Sequence, residues 1–272
     1  MNAQPQLIDT HAHLACFHQR GELAAVLERA HAAGVVQIVT VGTEPEDWRL
    51  YREIAPQCGN RVAYTVGLHP TSVDENWEAA VAQLPGYFEG AGAAVGLGEC
   101  GLDRFHLPKD DPGAAERTFA LQLSAFRAQL QLAKRVRVPL VVHARGAFAE
   151  TVAEIDASGI EWSRVVFHCF SEGADEMRTL SSRGGRGSFT GIVTYKNAGN
   201  VRAALLAQGL PRLMIETDSP YLPPEPHRGK VNEPAHVALT AARAAQELGL
   251  PLAELAATTT ANARAFYGLP EV

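Results

Sequence analysis

Short apolar runs alternate with longer amphipathic stretches from one end of the 272-residue chain to the other. The runs at 6–9, 35–41, 62–66, 93–98, 140–142, 165–167, 188–192 and 213–216 are too short for buried helices and rich in aliphatic residues, as strands buried on both faces are. Stretches with helical spacing separate them, among them 23–33, 77–88, 115–135 and 203–208, and two more follow residue 234. Eight strand–helix units of this length predict an α/β fold, a (β/α)8 TIM-type barrel formed by residues 1–272 as a single domain. The rival, an open doubly wound sheet, usually carries a Gly-rich phosphate loop after its first strand, and this chain has none there. Segment 218–234, DSPYLPPEPHRGKVNEP, holds five of the 16 prolines and reads as a stiffened loop beyond the last strand, over the functional face.

Composition narrows the classes of partner. Apolar residues at 46% and charged residues at 20% describe an ordinary globular protein and exclude a disordered or collagen-like chain. With 24 basic against 30 acidic side chains the formal charge is −6, so a broad basic surface that coats DNA is not expected. Only four lysines occur, Lys109, Lys134, Lys196 and Lys230. The cysteines, Cys16, Cys58, Cys100 and Cys169, form no CxxC motif and no disulfide framework is expected. The start MNAQPQLIDTHAHL lacks a basic, then apolar leader, and no apolar run is long enough for a bilayer; the expectation is a cytoplasmic protein with no membrane partner and no obligate protein partner.

The chemistry sits where the apolar runs end. The first closes in Asp9-Thr10-His11-Ala12-His13, and alternation in an extended segment turns His11 and His13 to one face, where both can grip one ion. The fourth run ends in Glu99, the fifth in His143 and the sixth in His168, and the eighth continues through Glu216 and Thr217 to Asp218. A buried imidazole or carboxylate is costly unless paired or coordinated, so five apolar runs ending this way point to a shared site at the C-terminal face of the strands. The six ligands exceed the three that one catalytic zinc takes. They suit two divalent ions, His11, His13 and Asp218 on one, His143 and His168 on the other, and Glu99 between them. Zn, Mn and Mg are all compatible with such donors.

Other polar residues read less sharply. His69, in Gly67-Leu68-His69-Pro70 after the third strand, fits a ligand or substrate contact as well as it fits a hydrogen-bonded loop histidine. Glu216 shares the parity of Asp218 one layer deeper, and reads as a hydrogen-bonding support of the ligands. Cys100 and Cys169 turn to the opposite face and read as small core residues, while His18, His31, His106, His227 and His236 read as solvated.

Taken in order, these residues lie in a series of motifs: Asp9-Thr-His-Ala-His13, Gly67-Leu-His-Pro70, Gly98-Glu-Cys-Gly-Leu-Asp103, Val142-His-Ala-Arg145, His168-Cys-Phe170, Ser188-Phe-Thr-Gly-Ile-Val193, Glu216-Thr-Asp-Ser-Pro-Tyr-Leu222 and Arg228-Gly-Lys230. The series resembles the TatD family of metal-dependent deoxyribonucleases, among the amidohydrolase-like barrels, over essentially the whole chain. The resemblance implies a divalent-metal nuclease, and its ligand set coincides with the six residues above. Two positions depart from it: Arg104 stands where relatives tend to have an aromatic residue, and Gly146 where they tend to have Asp.

A phosphodiester carries a negative charge that repels hydroxide, so its hydrolysis needs positive charge and a preformed nucleophile, and two divalent ions supply both. Asp218 is the expected proton acceptor and Glu99 the catalytic bridging carboxylate. Arg145, Lys196 and Arg228 are candidates to hold the non-bridging oxygens, the alternative being ordinary loop charge. The expected substrate is DNA, attacked as an exonuclease on single-stranded ends. Another ester or a cyclic amide, RNA and aminoacyl esters included, is the alternative substrate class. Against cyclic amides stands the lack of a lysine at the end of strand four or five, where many binuclear barrels carry a carboxylated one. A non-catalytic metal-binding barrel is the remaining alternative, and it would have lost a ligand or the base.

Overall fold

The computed structural model describes residues 4–272. Residues 1–3, the start of the stretch read for a leader, lie outside the described residues. In chain order the elements are β1 (Leu7–Ala12), α1 (Ala15–Gln19), α2 (Leu23–Ala32), β2 (Val35–Gly42), α3 (Pro45–Ile54), β3 (Val62–Val66), α4 (Trp77–Val81), β4 (Gly96–Asp103) and α5 (Pro112–Val136). They continue as β5 (Leu140–Arg145), α6 (Phe148–Ser158), β6 (Val165–Phe167), α7 (Ala174–Arg183), β7 (Arg186–Phe189), α8 (Gly199–Gln208), β8 (Met214–Ile215), α9 (Val237–Leu248) and α10 (Leu252–Tyr267). The strands follow one another in the order β1 to β8 in an eight-stranded sheet. Beyond β8, Ser219 forms a parallel bridge to Ala12, and the His13 N–H donates to the Ser219 carbonyl at 2.7 Å, so the chain returns to its first strand. This is the (β/α)8 TIM-type fold that the alternation of runs predicts.

By internal packing the chain divides into two compact units, one made of the chain through Thr40, Cys58–Ala63 and His168–Val272, the other of Val41–Gln57 and Tyr64–Phe167. In the first, Leu7, Ile8, Ile38 and Val39 are buried, with α10 and α9 packed on β1. Gln37, almost fully buried, is satisfied by the carbonyls of Asn60 and Pro270, each at 3.0 Å. In the second, the core holds Trp48, Leu97, Leu102, Phe126, Leu130 and Val141, and the Trp48 indole donates to the Gly67 carbonyl at 3.0 Å. There α5 starts at a cap the sequence permits: the Asp111 carboxylate accepts the Ala114 N–H at 2.9 Å, and Pro112 occupies the first turn, where no N–H is needed.

Several elements differ from the sequence expectation, among them the seventh strand, expected over 188–192, which ends at Phe189 before a 3-10 turn at Gly191–Thr194. The helix expected over 77–88 stops at Val81 and resumes as a short 3-10 turn at Leu84–Tyr87, where Pro85 has no N–H to continue the ladder. Strand four does not end at Glu99 but runs on to Asp103, every residue buried. Gly98 and Gly101 let β4 lie close against β5: a Cβ at Gly101 would sit 2.0 Å from the His143 carbonyl oxygen, and one at Gly98 2.2 Å from that of Val141. All four cysteines are free thiols. Among the described residues no helix is long and apolar enough to cross a membrane.

Candidate metal centre

In the first unit the donors are positioned by β1, by the residues after β6 and by those after β8. Thr217 fastens the last of these to β1, its N–H and hydroxyl donating to the Asp9 carboxylate at 2.8 and 2.5 Å. Burial pushes the Asp9 carboxyl up to about 8, against the opposing pull of the Thr217 and His11 hydrogen bonds. One residue on, Asp218 adopts a left-handed φ of 55°, a conformation Asp tolerates better than most residues, and donates its N–H to the His11 carbonyl at 2.9 Å. The turn brings its Oδ1 to 3.3 Å from His13 Nε2 and 3.7 Å from His11 Nε2. Burial acts to raise the Asp218 carboxyl, but the hydrogen bond from His13 and the charges of His11, His168 and His13 outweigh it and hold the group below the usual carboxylate range.

The His11 ring stacks on that of His168 with centroids 4.0 Å apart. His168 Nδ1 lies 3.5 Å from Glu216 Oε1, and His11, His168 and Glu216, all buried, each offer a donor atom within 4.8 Å of the others. Glu216 also accepts the Cys169 N–H at 2.6 Å and the Ser188 hydroxyl. The carboxylate expected only to support ligands is therefore close enough to be one. Imidazole and carboxylate donors converging in a buried place fit a divalent cation such as Zn or Mn.

In the second unit the close approach of β4 to β5 sets Glu99 against His143, Oε1 to Nδ1 at 2.9 Å. His69 Nε2 lies 3.2 Å from the same oxygen, and His69, Glu99 and His143 again each offer a donor atom within 4.8 Å of the others. The Thr71 N–H donates to His69 Nδ1 at 3.1 Å, and the Thr71 hydroxyl lies 2.6 Å from that nitrogen. With Nδ1 an acceptor, the neutral ring carries its proton on Nε2, facing Glu99. That tautomer makes His69 a hydrogen-bond donor to the carboxylate. Two buried glutamines of α5 hold the loops in place: Gln129 pairs with both backbone groups of Leu68, and Gln122 accepts the Asp103 N–H at 2.9 Å.

Asp103 is the residue sequence reasoning missed. Fully buried at the end of β4, it meets His143 Nε2 at 3.0 Å and His106 Nδ1 at 2.7 Å with one oxygen, and accepts the His106 N–H at 2.9 Å with the other. Burial would raise its carboxyl, but the hydrogen bonds from His143 and His106 hold it well below the usual range. Its signal was parity: Glu99, Gly101 and Asp103 share a face of a strand that does not stop at Glu99. His106, read as solvated, is half-exposed but tied to Asp103. His143 thus has a carboxylate at each nitrogen, whereas a neutral imidazole has one N–H. A cation at the Nδ1 and Glu99 edge, with Asp103 taking the Nε2–H, satisfies both contacts in the way carboxylate–histidine–metal triads do.

The candidate substrate cations are exposed. Arg145, at the end of β5, lays its guanidinium 3.9 Å over the ring of Phe105, and Arg228 lies 3.8 Å over the ring of Tyr195, next to exposed Lys196. Cys100 is fully buried; Cys169 is half-buried, with Sγ 3.9 Å from the Thr190 hydroxyl. His227 and His236 stack on each other at 4.2 Å.

Comparison with known proteins places this architecture. The TatD_DNase model, described as TatD related DNase, matches residues 8–268. An uncharacterized metal-dependent hydrolase TatD of Mycobacterium tuberculosis is 36% identical over 265 residues, covering 97% of this chain and 98% of that protein. A 3'-5' ssDNA/RNA exonuclease TatD of Escherichia fergusonii is 31% identical over 252 residues, covering 90% and 92%. The crystal structure of YjjV, a TatD homolog from Escherichia coli K12, superposes with a TM-score of 0.89 at 26% identity, covering 98% of this chain and 100% of that one. Matched in sequence over nearly its whole length and in fold throughout, the chain belongs to the TatD related DNase family.

Proposed function

We propose that the protein is a divalent-metal-dependent hydrolase that cuts phosphodiester bonds of DNA, as an exonuclease on single-stranded ends. The observation that carries this reading is the pair of imidazole and carboxylate clusters, His11, His168 and Glu216 buried in one unit and buried Glu99 with the partly buried His69 and His143 in the other, each at the C-terminal ends of parallel strands. The Escherichia fergusonii relative, named as a single-strand exonuclease, supports the substrate and the attack at an end. His11, His13 and Asp218 would hold one ion, His143 and His168 a second, with Glu99 shared between them, and Zn, Mn and Mg are the candidates. When bound, such ions neutralise phosphate charge and lower the pKa of water toward about 7.

The residues of the chain divide the remaining work. Asp218, kept ionised by His13 and His11, accepts the proton of the attacking water. Asp103 fixes the His143 ring, and His69 donates to Glu99 and keeps that carboxylate aimed. The exposed guanidinium edges of Arg145 and Arg228, with Lys196, take non-bridging oxygens. The test is metal-stripped protein reloaded with Zn, Mn or Mg and assayed on end-labelled single- and double-stranded DNA, on RNA and on an aminoacyl ester. Metal-dependent release of mononucleotides from single-stranded DNA ends is the expected result. Turnover of the aminoacyl ester alone would overturn the substrate class, and no turnover with any ion would overturn the activity.

A further inference from the structure

We infer that Phe105 and Arg145 form a stacking subsite for a nucleobase near the end of a bound strand, an inference that rests on the nuclease reading above. Phe105 follows β4 by two residues and leaves 50% of its surface in solvent. A lone exposed aromatic residue would need no explanation, but this one is built into a stack. The Arg145 guanidinium lies 3.9 Å over its ring, Lys109 Nζ lies 5.1 Å from the ring centre, and the His106 ring meets it at 5.0 Å nearly at a right angle.

The position of the stack ties it to the chemistry. Arg145 is in register with Asp103 across β4 and β5, and Arg145 lies two residues beyond His143, about 7 Å along the strand. The carboxylate of Asp103 meets His143, and the backbone of Arg104, between Asp103 and Phe105, donates to the Arg145 carbonyl at 2.9 Å. A nucleotide whose phosphate is at the Glu99 and His143 cluster therefore has an aromatic ring and a planar cation within reach of its base.

Charge explains why such a surface is useful here. At a net −6, with 24 basic against 30 acidic side chains, the chain has no excess of cations to line a long run of phosphates, so affinity for a strand is expected to come from a few contacts. Stacking on a ring or a guanidinium plane is sequence-tolerant, because every base has a π-face, and it requires a base that is not already paired within a duplex. Arg145 serves twice, its plane against Phe105 and its N–H edge toward phosphate. The subsite takes unpaired purines and pyrimidines alike, and it selects for single-stranded substrate.

The test crosses two changes. Each of the last three nucleotides of a short single-stranded oligodeoxynucleotide is made abasic in turn, and binding is measured by fluorescence anisotropy with metal-loaded wild type, Phe105→Ala and Phe105→Trp, beside the rate of end cleavage. One abasic position should weaken wild-type binding by about 5- to 150-fold, the range for one base stacked on an aromatic side chain. Phe105→Ala should weaken the intact strand by a similar factor and leave the strand abasic at that position unchanged, and Phe105→Trp should restore the difference. Equal loss by Phe105→Ala on intact and abasic strands, or no loss on either, overturns the subsite. Wild type that binds as expected without cutting keeps the subsite and removes the nuclease reading. Wild type that cuts without discriminating abasic strands does the reverse, and absence of both binding and cutting removes both.

Discussion

Asp103 Oδ2 lies 3.0 Å from Nε2 of His143, so the ring that faces Glu99 on one side is held from behind by a second carboxylate. Both oxygens of Asp103 are committed, one to His143 and His106 Nδ1, the other to the His106 N–H. An asparagine keeps the size but turns one acceptor into a donor that faces a ring nitrogen. Asp103→Asn is therefore expected to weaken divalent-metal binding at His143 by about 10- to 100-fold, as loss of a carboxylate behind a metal-binding histidine does, with the protein still folded. Metal titration of the variant, beside its circular dichroism, checks this; undiminished affinity would show that the ring does not need its backing.

Glu99 and His143 lie in one cluster, but the assignment proposed for them makes different demands on each. A carboxylate shared between ions contributes charge to both, whereas the imidazole serves one. Glu99→Gln is expected to lower the content of both ions together, and His143→Ala to lower mainly one. Counting bound metal on the two purified variants decides the matter, and an equal loss of a single ion in both would remove the bridging role.

The candidate donors at strand ends could be picked out of the sequence because their signal is local. His11, His143 and His168 each follow an aliphatic run that has no reason to end in an imidazole, and the structure places each within or just after its strand. Asp103 and the Phe105 stack were not legible, for one shared reason. They depend on β4 running past Glu99 to Asp103, and a sequence does not show that the β5 backbone passes 2.0 Å from where a Cβ of Gly101 would sit. The contacts of Asp103 and Phe105 follow from the β4 and β5 register, a pairing between segments some 40 residues apart that local periodicity cannot report. The depth of Glu216 in the strand argued for a hydrogen-bonding support, and it does accept from Cys169 and Ser188; what the sequence does not show is that His11 and His168 offer donor atoms within 4.8 Å of its own.

Asp218 combines proximity to His13 with a carboxyl held ionised, which suits a proton acceptor. Asp218→Asn is expected to leave the fold near its wild-type stability in excess metal, since Asn accepts the left-handed φ that residue 218 adopts. Activity should fall by about 10²- to 10⁴-fold from the loss of general-base assistance, with the lost ligand charge adding to it. Turnover measured at saturating metal, with bound metal counted in the same samples, separates proton transfer from ligation. Wild-type turnover would exclude Asp218 as the base.

The mode of engaging a strand follows from the net −6 charge, 24 basic against 30 acidic side chains. Arg145, Arg228 and Lys196 are the exposed bases assigned to phosphate, and two of them lie over aromatic rings, so only their N–H edges remain for oxygens. If about two or three phosphates are held, log affinity against log salt for a single strand should fall with a slope near −1.4 to −2.1 at constant free metal, about −0.7 for each contact. So few contacts favour a free end, which can turn its last base onto the Phe105 and Arg145 stack while the rest of the strand stays in solvent. A covalently closed circle has to bend on both sides of the cut to reach the same place, without extra contacts to stabilise the bend. Linear single strands should therefore be degraded stepwise to mononucleotides, and closed single-stranded circles of the same sequence should be cut slowly. Circles cut as fast as linear strands, or a salt slope as steep as that of a protein that coats duplex grooves, would show that the contact surface extends well beyond these three cations.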